Sequence, residues 1–361
     1  MSSSSRIQET MRSLFIATII ALALLACAEG VLRGYFALTE RQTTGNKLPS
    51  AALRQDYLHD DPVLGYALNP GRYRQGITIN SLGLRGPELS TIPMSGTTRI
   101  VCIGDSTTFG LGGAGCTYPA QMQAILDAQA PGKFESINAG VEGYSTLHVT
   151  RMIAKKITTL SPDIILLYVG WNDIYVPLHI AGKRPPAETP LQRLYLARLA
   201  RRLALLDLPR WLAHFRTGGP DSAHSFSPGL AQEYKTRLAG LVAAALATTA
   251  KTVLVTLPNV FENGVTPKAL AVAHYPYWAY GDPHKLRASI LAFNNLIRET
   301  GRATQTPVLD LAQAVAALDE GGVPLFFDTL HPTCKGQEVL ARLLLENLVR
   351  MNLLPKRHPE Q

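Results

Sequence analysis

Hydrophobic positions follow three different patterns along the 361-residue chain. The first is an apolar run from Leu14 to Ala28 that continues, past Glu29, through Gly30-Val31-Leu32. It approaches the roughly 20 residues a helix needs to cross a bilayer. A helix with almost no polar face fits a soluble core poorly. Glu29 and Arg33 stand at i, i+4, where they can pair on a helix. Arg6 and Arg12 precede the run, which favours a cytoplasmic N-terminus and an exported remainder. We therefore expect a transmembrane signal anchor over residues 1–38. Two rivals stay open: Ala26-Cys27-Ala28 resembles a signal-peptidase site, and Leu24-Leu-Ala-Cys27 loosely resembles a lipoprotein box. All three place the bulk of the chain outside the cytoplasm.

The second pattern covers residues 39–98. Short alternating stretches such as Ile77-Thr-Ile79 lie between turn signals: Asp61-Pro62, Asn69-Pro70-Gly71, Gly83 and Gly86-Pro87. This predicts an extended arm wrapped onto a main domain.

From Arg99 to about residue 355 the pattern alternates between strand and helix. Strands are predicted at 99–104, 134–138, 163–169, 252–258 and from 307. Helices are predicted at 118–130, 146–160, 230–250, 285–304 and 333–351. DIILLYV (163–169) is nearly all apolar, as a strand covered on both faces should be. Repeated strand–helix units predict an α/β fold, a three-layer αβα sandwich around a mainly parallel sheet. Ligands of such folds bind beyond the carboxyl ends of the strands. A helical insertion at about 175–228 breaks the alternation. Its stretch LQRLYLARLARRLALLDL (191–208) reads first as a lid helix and second as a contact for anionic lipid or an acidic polymer.

Composition changes this picture only locally. The formal charge of +8 is concentrated: Lys183, Arg184, Arg193, Arg198, Arg201, Arg202, Arg210 and Arg216 face only Glu188 and Asp207 in that interval. A chain-wide nucleic-acid surface is not expected, and no zinc-ligand spacing accompanies the charge. Four cysteines do not make a disulfide scaffold. Cys102 lies in a strand pattern and reads as an inert core thiol. Cys116 and Cys334 each follow a block suspected of chemistry, so convergence of those blocks would let them pair in an oxidising compartment.

Two motifs overlap in IGDSTTFGLGGAGC (103–116). Gly110 to Gly115 spells G-x-G-x-x-G. A dinucleotide site needs its first glycine directly after the strand, and here the glycines begin six residues past Gly104. No cofactor is expected there. Ser106 stands just past the strand end, where a nucleophile belongs, although Thr108 replaces the last glycine of G-x-S-x-G. A serine nucleophile needs a base oriented by a carboxylate. Three of the nine histidines have an aspartate three residues earlier: Asp56/His59, Asp221/His224 and Asp328/His331. Only the last sits at an element boundary on the expected ligand edge. Gly140 in INAG and Asn172 in GWND follow the next strands and can supply oxyanion donors.

GDS around Ser106, NAG ending at Gly140, GWND containing Asn172 and DTLHP containing Asp328 and His331 together resemble the four blocks of the SGNH (GDSL) hydrolase family, over roughly residues 99–350. HDDPVLGYALNP (59–70), INSLGLRGPE (79–88) and the leading apolar helix resemble a membrane-anchored bacterial branch of it. The resemblance implies a flavodoxin-like ester hydrolase with a flexible, open site. It implies Ser106 as nucleophile, His331 as base, Asp328 orienting His331, and an oxyanion hole of the Ser106 N–H, Gly140 and Asn172. Asp105 and Asp173 fix loops, and glycines 110–115 become a mobile lip. No cofactor or metal is implied. An exported, tethered esterase points to acylated envelope or exported polysaccharide as substrate. Acyl transfer to a sugar hydroxyl, short-chain lipid ester hydrolysis and a non-catalytic carbohydrate-binding role remain alternatives. The aromatic segment HYPYWAYGDPH (274–284) offers Tyr275, Tyr277, Trp278 and Tyr280 for stacking on sugar rings.

Overall fold

The computed structural model describes residues 3–43, 57–73, 76–113, 115–175, 228–274 and 282–354. The insertion at 176–227 and the aromatic residues 275–281 lie outside them. The chain divides into two units, residues 1–44 with 187–216, and residues 45–186 with 217–361.

In the first unit, α1 (Ser3–Thr43) contains the stretch Met11–Gly34, 24 residues long and apolar enough to cross a membrane. Leu14, Ile16, Ile19, Ile20, Leu22, Leu24 and Leu25 of this stretch are exposed. Arg33 and Glu29 pair at 2.9 Å across one helical turn.

The second unit is built on a sheet. Five parallel strands, β5 (Thr98–Gly104), β6 (Phe134–Gly140), β7 (Ile164–Tyr168), β8 (Lys251–Val255) and β9 (Val308–Leu309), lie in the order β6-β5-β7-β8-β9. The chain steps one way from β5 to β6 and the other way to β7. Right-handed crossovers therefore put the two connecting helices on opposite faces. On one side α3 (Tyr118–Gln129) packs against α10 (Cys334–Arg350), which also touches α9 (Leu311–Ala316). On the other, α4 (Thr146–Lys155) packs against α6 (Pro228–Leu246), and α6 against α8 (Pro283–Thr304). This is the α/β sandwich the alternation predicts.

All five residues of β7 are buried, as a strand covered on both faces requires. Truncating one of them, Leu166→Ala for example, is expected to cost about 2–5 kcal/mol. The predicted helix 146–160 ends early. Lys156 leaves helical geometry at φ −130°, and a short 3₁₀ turn, Ile157–Leu160, completes the segment.

Residues 57–88 form two small antiparallel pairs. β1 (Leu58–Asp61) pairs with β2 (Gly65–Leu68), and β3 (Gly71–Arg72) with β4 (Thr78–Ile79). Tyr57, Leu58, Tyr66, Leu68, Ile77 and Leu84 are buried in the same core as the sheet. A single bridge between Arg85 and Asn138 joins this arm to the outer edge of β6.

The chain reverses its lateral direction between β5 and β7. In a sheet of this order the crevice at that switch point is the usual ligand site.

Candidate active site

Ser106 opens the short helix α2 (Ser106–Phe109) directly after β5. Asp105 caps that helix: its Oδ1 accepts from the Thr107 N–H at 2.9 Å and the Thr107 hydroxyl at 2.8 Å. The cap turns the chain sharply out of the sheet and leaves the Ser106 N–H at an open helix start. Ser106 keeps 8% of its surface exposed.

The second half of the site comes from the chain's other end. Ser106 Oγ lies 2.8 Å from His331 Nε2, across 225 residues of sequence. His331 Nδ1 lies 2.7 Å from Asp328 Oδ2. The Leu330 and His331 N–H groups donate to Asp328 Oδ1 at 2.9 and 2.8 Å. Burial alone would raise the Asp328 carboxyl. The adjacent imidazole and these hydrogen bonds outweigh it and hold the group below the ordinary carboxylate range. Phe327 stacks on the His331 ring at 5.7 Å, fixing its plane from the side.

Two links join the halves. Gln337 on α10 accepts from the Tyr118 N–H at 2.7 Å and donates to the Thr107 carbonyl at 3.1 Å. Cys116 and Cys334 form a disulfide. Such a linked serine, imidazole and carboxylate can pass the hydroxyl proton to the ring while the carboxylate steadies the resulting charge. Of the other histidine candidates, His59 is exposed on β1, and His224 lies outside the described residues.

Two donor candidates need separate accounts. Asn172, near the start of α5 (Trp171–Tyr175), directs its side-chain amide to the Tyr144 carbonyl at 3.0 Å. Among the described residues the amide's second hydrogen meets no acceptor. Gly140 does not present its N–H as expected. That N–H donates to Asn138 Oδ1 at 2.9 Å. A Cβ at Gly140 would meet the Phe109 backbone nitrogen at 2.2 Å, so this glycine exists for close packing of β6 on α2. Gly143 is the residue the sequence reading passed over. It is half-exposed, adopts φ 81°, and directly precedes Tyr144, whose carbonyl Asn172 holds. Its N–H meets no acceptor among the described residues.

The glycine-rich segment is neither a cofactor cradle nor a free lip. The Arg85 guanidinium donates to the Phe109, Gly110, Gly112 and Gly113 carbonyls, which ties the segment down. Gly110 sits at φ 82°, and a Cβ at Gly112 would lie 2.5 Å from the Cys116 Cβ, so these glycines serve a tight, disulfide-closed turn. Cys102 is buried in the core, and burial pushes its thiol up to about 12. Among the described residues no three His, Cys, Asp or Glu side chains gather as a metal site would require.

A model of the GDSL-like lipase/acylhydrolase family matches residues 102–339, well over half of the chain. No curated protein matches the sequence. Solved structures that resemble it include an acetyl xylan esterase at 16% identity and TM-score 0.44, covering 69% of this chain and 99% of that one. A GDSL-like lipase from Bacteroides thetaiotaomicron shows 13% identity and TM-score 0.44, covering 73% and 93%. An acetylxylan esterase from Geobacillus stearothermophilus shows 17% identity and TM-score 0.42, covering 71% and 96%. With four sequence blocks meeting at one sheet edge and a family match that spans all of them, the chain belongs to the GDSL-like lipase/acylhydrolase family, an ester-bond hydrolase.

Proposed function

We propose that the protein cleaves esters through an acyl-serine intermediate. The observation that carries this reading is the 2.8 Å contact between Ser106 Oγ and His331 Nε2, backed by Asp328. His331 takes the serine proton as Oγ attacks the ester carbonyl. The resulting oxyanion accepts hydrogen bonds from the Ser106 N–H, the Asn172 amide and the Gly143 N–H, the last replacing Gly140. The carbonyl re-forms as His331 returns the proton to the leaving oxygen and the alcohol departs; the neutral His331 then takes a proton from water, which releases the acyl group.

The substrate we propose is an acyl group, acetyl first, on envelope or exported polysaccharide. The chain would be a membrane-anchored bacterial member of its family, held in the inner membrane by α1 with its active site outside the cytoplasm. Three features support that address: the apolar span, Arg6 and Arg12 before it, and the Cys116–Cys334 disulfide, a bond that persists in oxidising compartments.

A fluorophosphonate probe should label the wild type and not Ser106→Ala. Turnover of p-nitrophenyl acetate should be abolished by Ser106→Ala and reduced about 100-fold or more by Asn172→Ala, the usual cost of one oxyanion donor. Absence of labelling in a folded sample would overturn the acyl-serine reading. Acetylated glycans supplied with and without a sugar acceptor separate hydrolysis from transfer. Acetate release unaffected by the acceptor supports the hydrolase.

A further inference from the structure

The arm contains the motif INSLGLRGPE (79–88), whose residues take no direct part in the proposed chemistry. The motif is a self-bonded turn. Asn80 Oδ1 accepts from the Leu82 and Leu84 N–H groups at 3.1 and 3.0 Å, and its amide donates to the Pro87 carbonyl at 3.0 Å. Gly83 supplies the left-handed residue at φ 67°. The turn delivers Arg85 inward, where its side chain is buried and its backbone N–H bonds the Asn138 carbonyl at 3.2 Å.

A buried guanidinium is costly unless its donors are used. Here Nη1 reaches the Phe109 carbonyl at 2.8 Å and the Gly110 carbonyl, and Nη2 reaches the Gly112 and Gly113 carbonyls at 2.9 Å each. The group also lies over the Phe109 ring, 4.8 Å from its centre. Lysine, with one nitrogen, cannot reproduce this fork. Burial pulls the Arg85 pKa down to about 10, with Tyr57 and Glu142 opposing the fall, so the side chain stays charged at neutral pH.

The same arm grips the loop on the other side of the site. The Tyr57 hydroxyl donates to the Glu142 carboxylate, and the Tyr66 hydroxyl donates to the Glu142 carbonyl at 2.9 Å. The Tyr144 hydroxyl donates back to the Tyr66 carbonyl at 2.6 Å. Glu142 and Tyr144 flank Gly143. Tyr57 also stacks on Phe109 at 5.5 Å, joining the two grips.

We propose that the arm is a positioning element of the active site: Arg85 fixes the carbonyls that follow the nucleophile helix, and Tyr57 and Tyr66 fix the turn that presents the Gly143 N–H. The inference rests on the acyl-serine reading. Backbone donors stabilise an oxyanion only when they are already aimed at it, and a misplacement of about 1 Å costs about a hundredfold in rate. The arm thus sets kcat without touching substrate.

The test measures kcat, KM and fluorophosphonate labelling rate on the full chain for Arg85→Lys, Tyr57→Phe and Tyr66→Phe, beside thermal unfolding. Lys155→Met is the control, because Lys155 pairs with Asp61 of the arm on the surface of α4. Arg85→Lys is expected to lower kcat and labelling rate together by about 10- to 100-fold, with KM nearly unchanged. Tyr57→Phe should do the same more weakly, and Lys155→Met should shift only unfolding. If Arg85→Lys and Tyr57→Phe lower the unfolding temperature but retain wild-type kcat, the arm is only structural and the proposal falls. If the wild type itself neither labels nor turns over, the acyl-serine reading falls and takes this one with it. A wild type that labels at Ser106, with variants that label equally fast, overturns the arm alone.

Discussion

Two aspartates stand beside Ser106 and His331, and their environments differ in what reaches them. Asp105, next to Ser106, is fully buried. One oxygen caps α2, and the Trp171 backbone N–H adds a further, weaker contact to the carboxyl. Burial pushes its carboxyl up to about 6, and the Thr107 donors, the nearby His331 and the Trp171 N–H only partly resist. Asp328, three residues before His331, receives two backbone N–H groups and the imidazole, and it stays below the ordinary range. Adjacency to Ser106 or His331 therefore does not assign a role. The chemistry of the donors, set against the depth of burial, does. A carboxylate held ionised by an imidazole can stabilise that imidazole's charge. One held by a helix cap shapes a loop.

The comparison breaks most visibly in activity. Asp328→Asn should lower kcat by about 10⁴-fold, because the ring loses the partner that holds its tautomer and charge. Asp105→Asn keeps an acceptor oxygen for the Thr107 N–H and should cost far less. Steady-state turnover of a simple ester by both variants checks this. Equal losses would mean that Asp105 acts on the chemistry and that the division drawn from their donors is wrong.

A smaller effect concerns the link between these two regions. The disulfide joins the turn after the Asp105 cap to the helix after His331, at a sequence separation of 218. Gln337 spans the same gap with two hydrogen bonds of its own. Replacing both cysteines by serine should therefore cost stability, about 2–5 kcal/mol, more than rate. Denaturant unfolding and kcat measured on the same sample decide the point. A collapse of kcat in a protein that remains folded would show that the disulfide, rather than Gln337, keeps Ser106 and His331 in register.

What was legible in the sequence was local. Asp328 and His331 are read correctly as neighbours because the backbone between them folds onto the carboxylate within three residues. The strand ends that carry Ser106 and Asn172 follow from runs of apolar residues. Gly140 was misread because its fate depends on a side chain: Asn138 Oδ1 turns back to the N–H two residues on, and no periodicity announces that. The spacing Gly140-Val-Glu-Gly143 carries a clue, since Gly143 adopts φ 81°, a turn conformation that favours glycine. The turns at 61–62, 69–71 and 83–87 are legible in the sequence, but the arm's expected start at residue 39 is not where the helix ends, since α1 runs to Thr43. The target of Arg85 is not legible, because its four carbonyl partners lie 24 to 28 positions away and are set by tertiary packing. For the same reason the glycine lip read as mobile when it is tied.

The subtlest consequence of the comparison is a difference in stability with pH. Asp105 titrates at about 6 in the folded chain, above the unfolded range near 4. The folded state therefore binds its proton more tightly. That contribution to stability is complete below about pH 4 and is lost as pH rises through 6. Asp173 is also raised by burial to about 6 and shares the same sign, while Asp328, being lowered, acts only at more acidic pH. His148 runs the other way. Burial lowers it to about 4, so its neutral form adds stability as pH rises towards its unfolded value. Because these trends overlap in the wild type, the quantity to read is the difference between Asp105→Asn and wild type. That difference should move in the variant's favour between pH 5 and 7.5, by a few degrees in unfolding temperature, since about 1 kcal/mol is worth about 2–4 °C in a domain of this size. Asp328→Asn should show no such gain, because the carboxylate it removes is one the fold prefers ionised. If the two variants drift in parallel across that window, burial does not outweigh the donors at Asp105 and the contrast between the two carboxylates fails at its source.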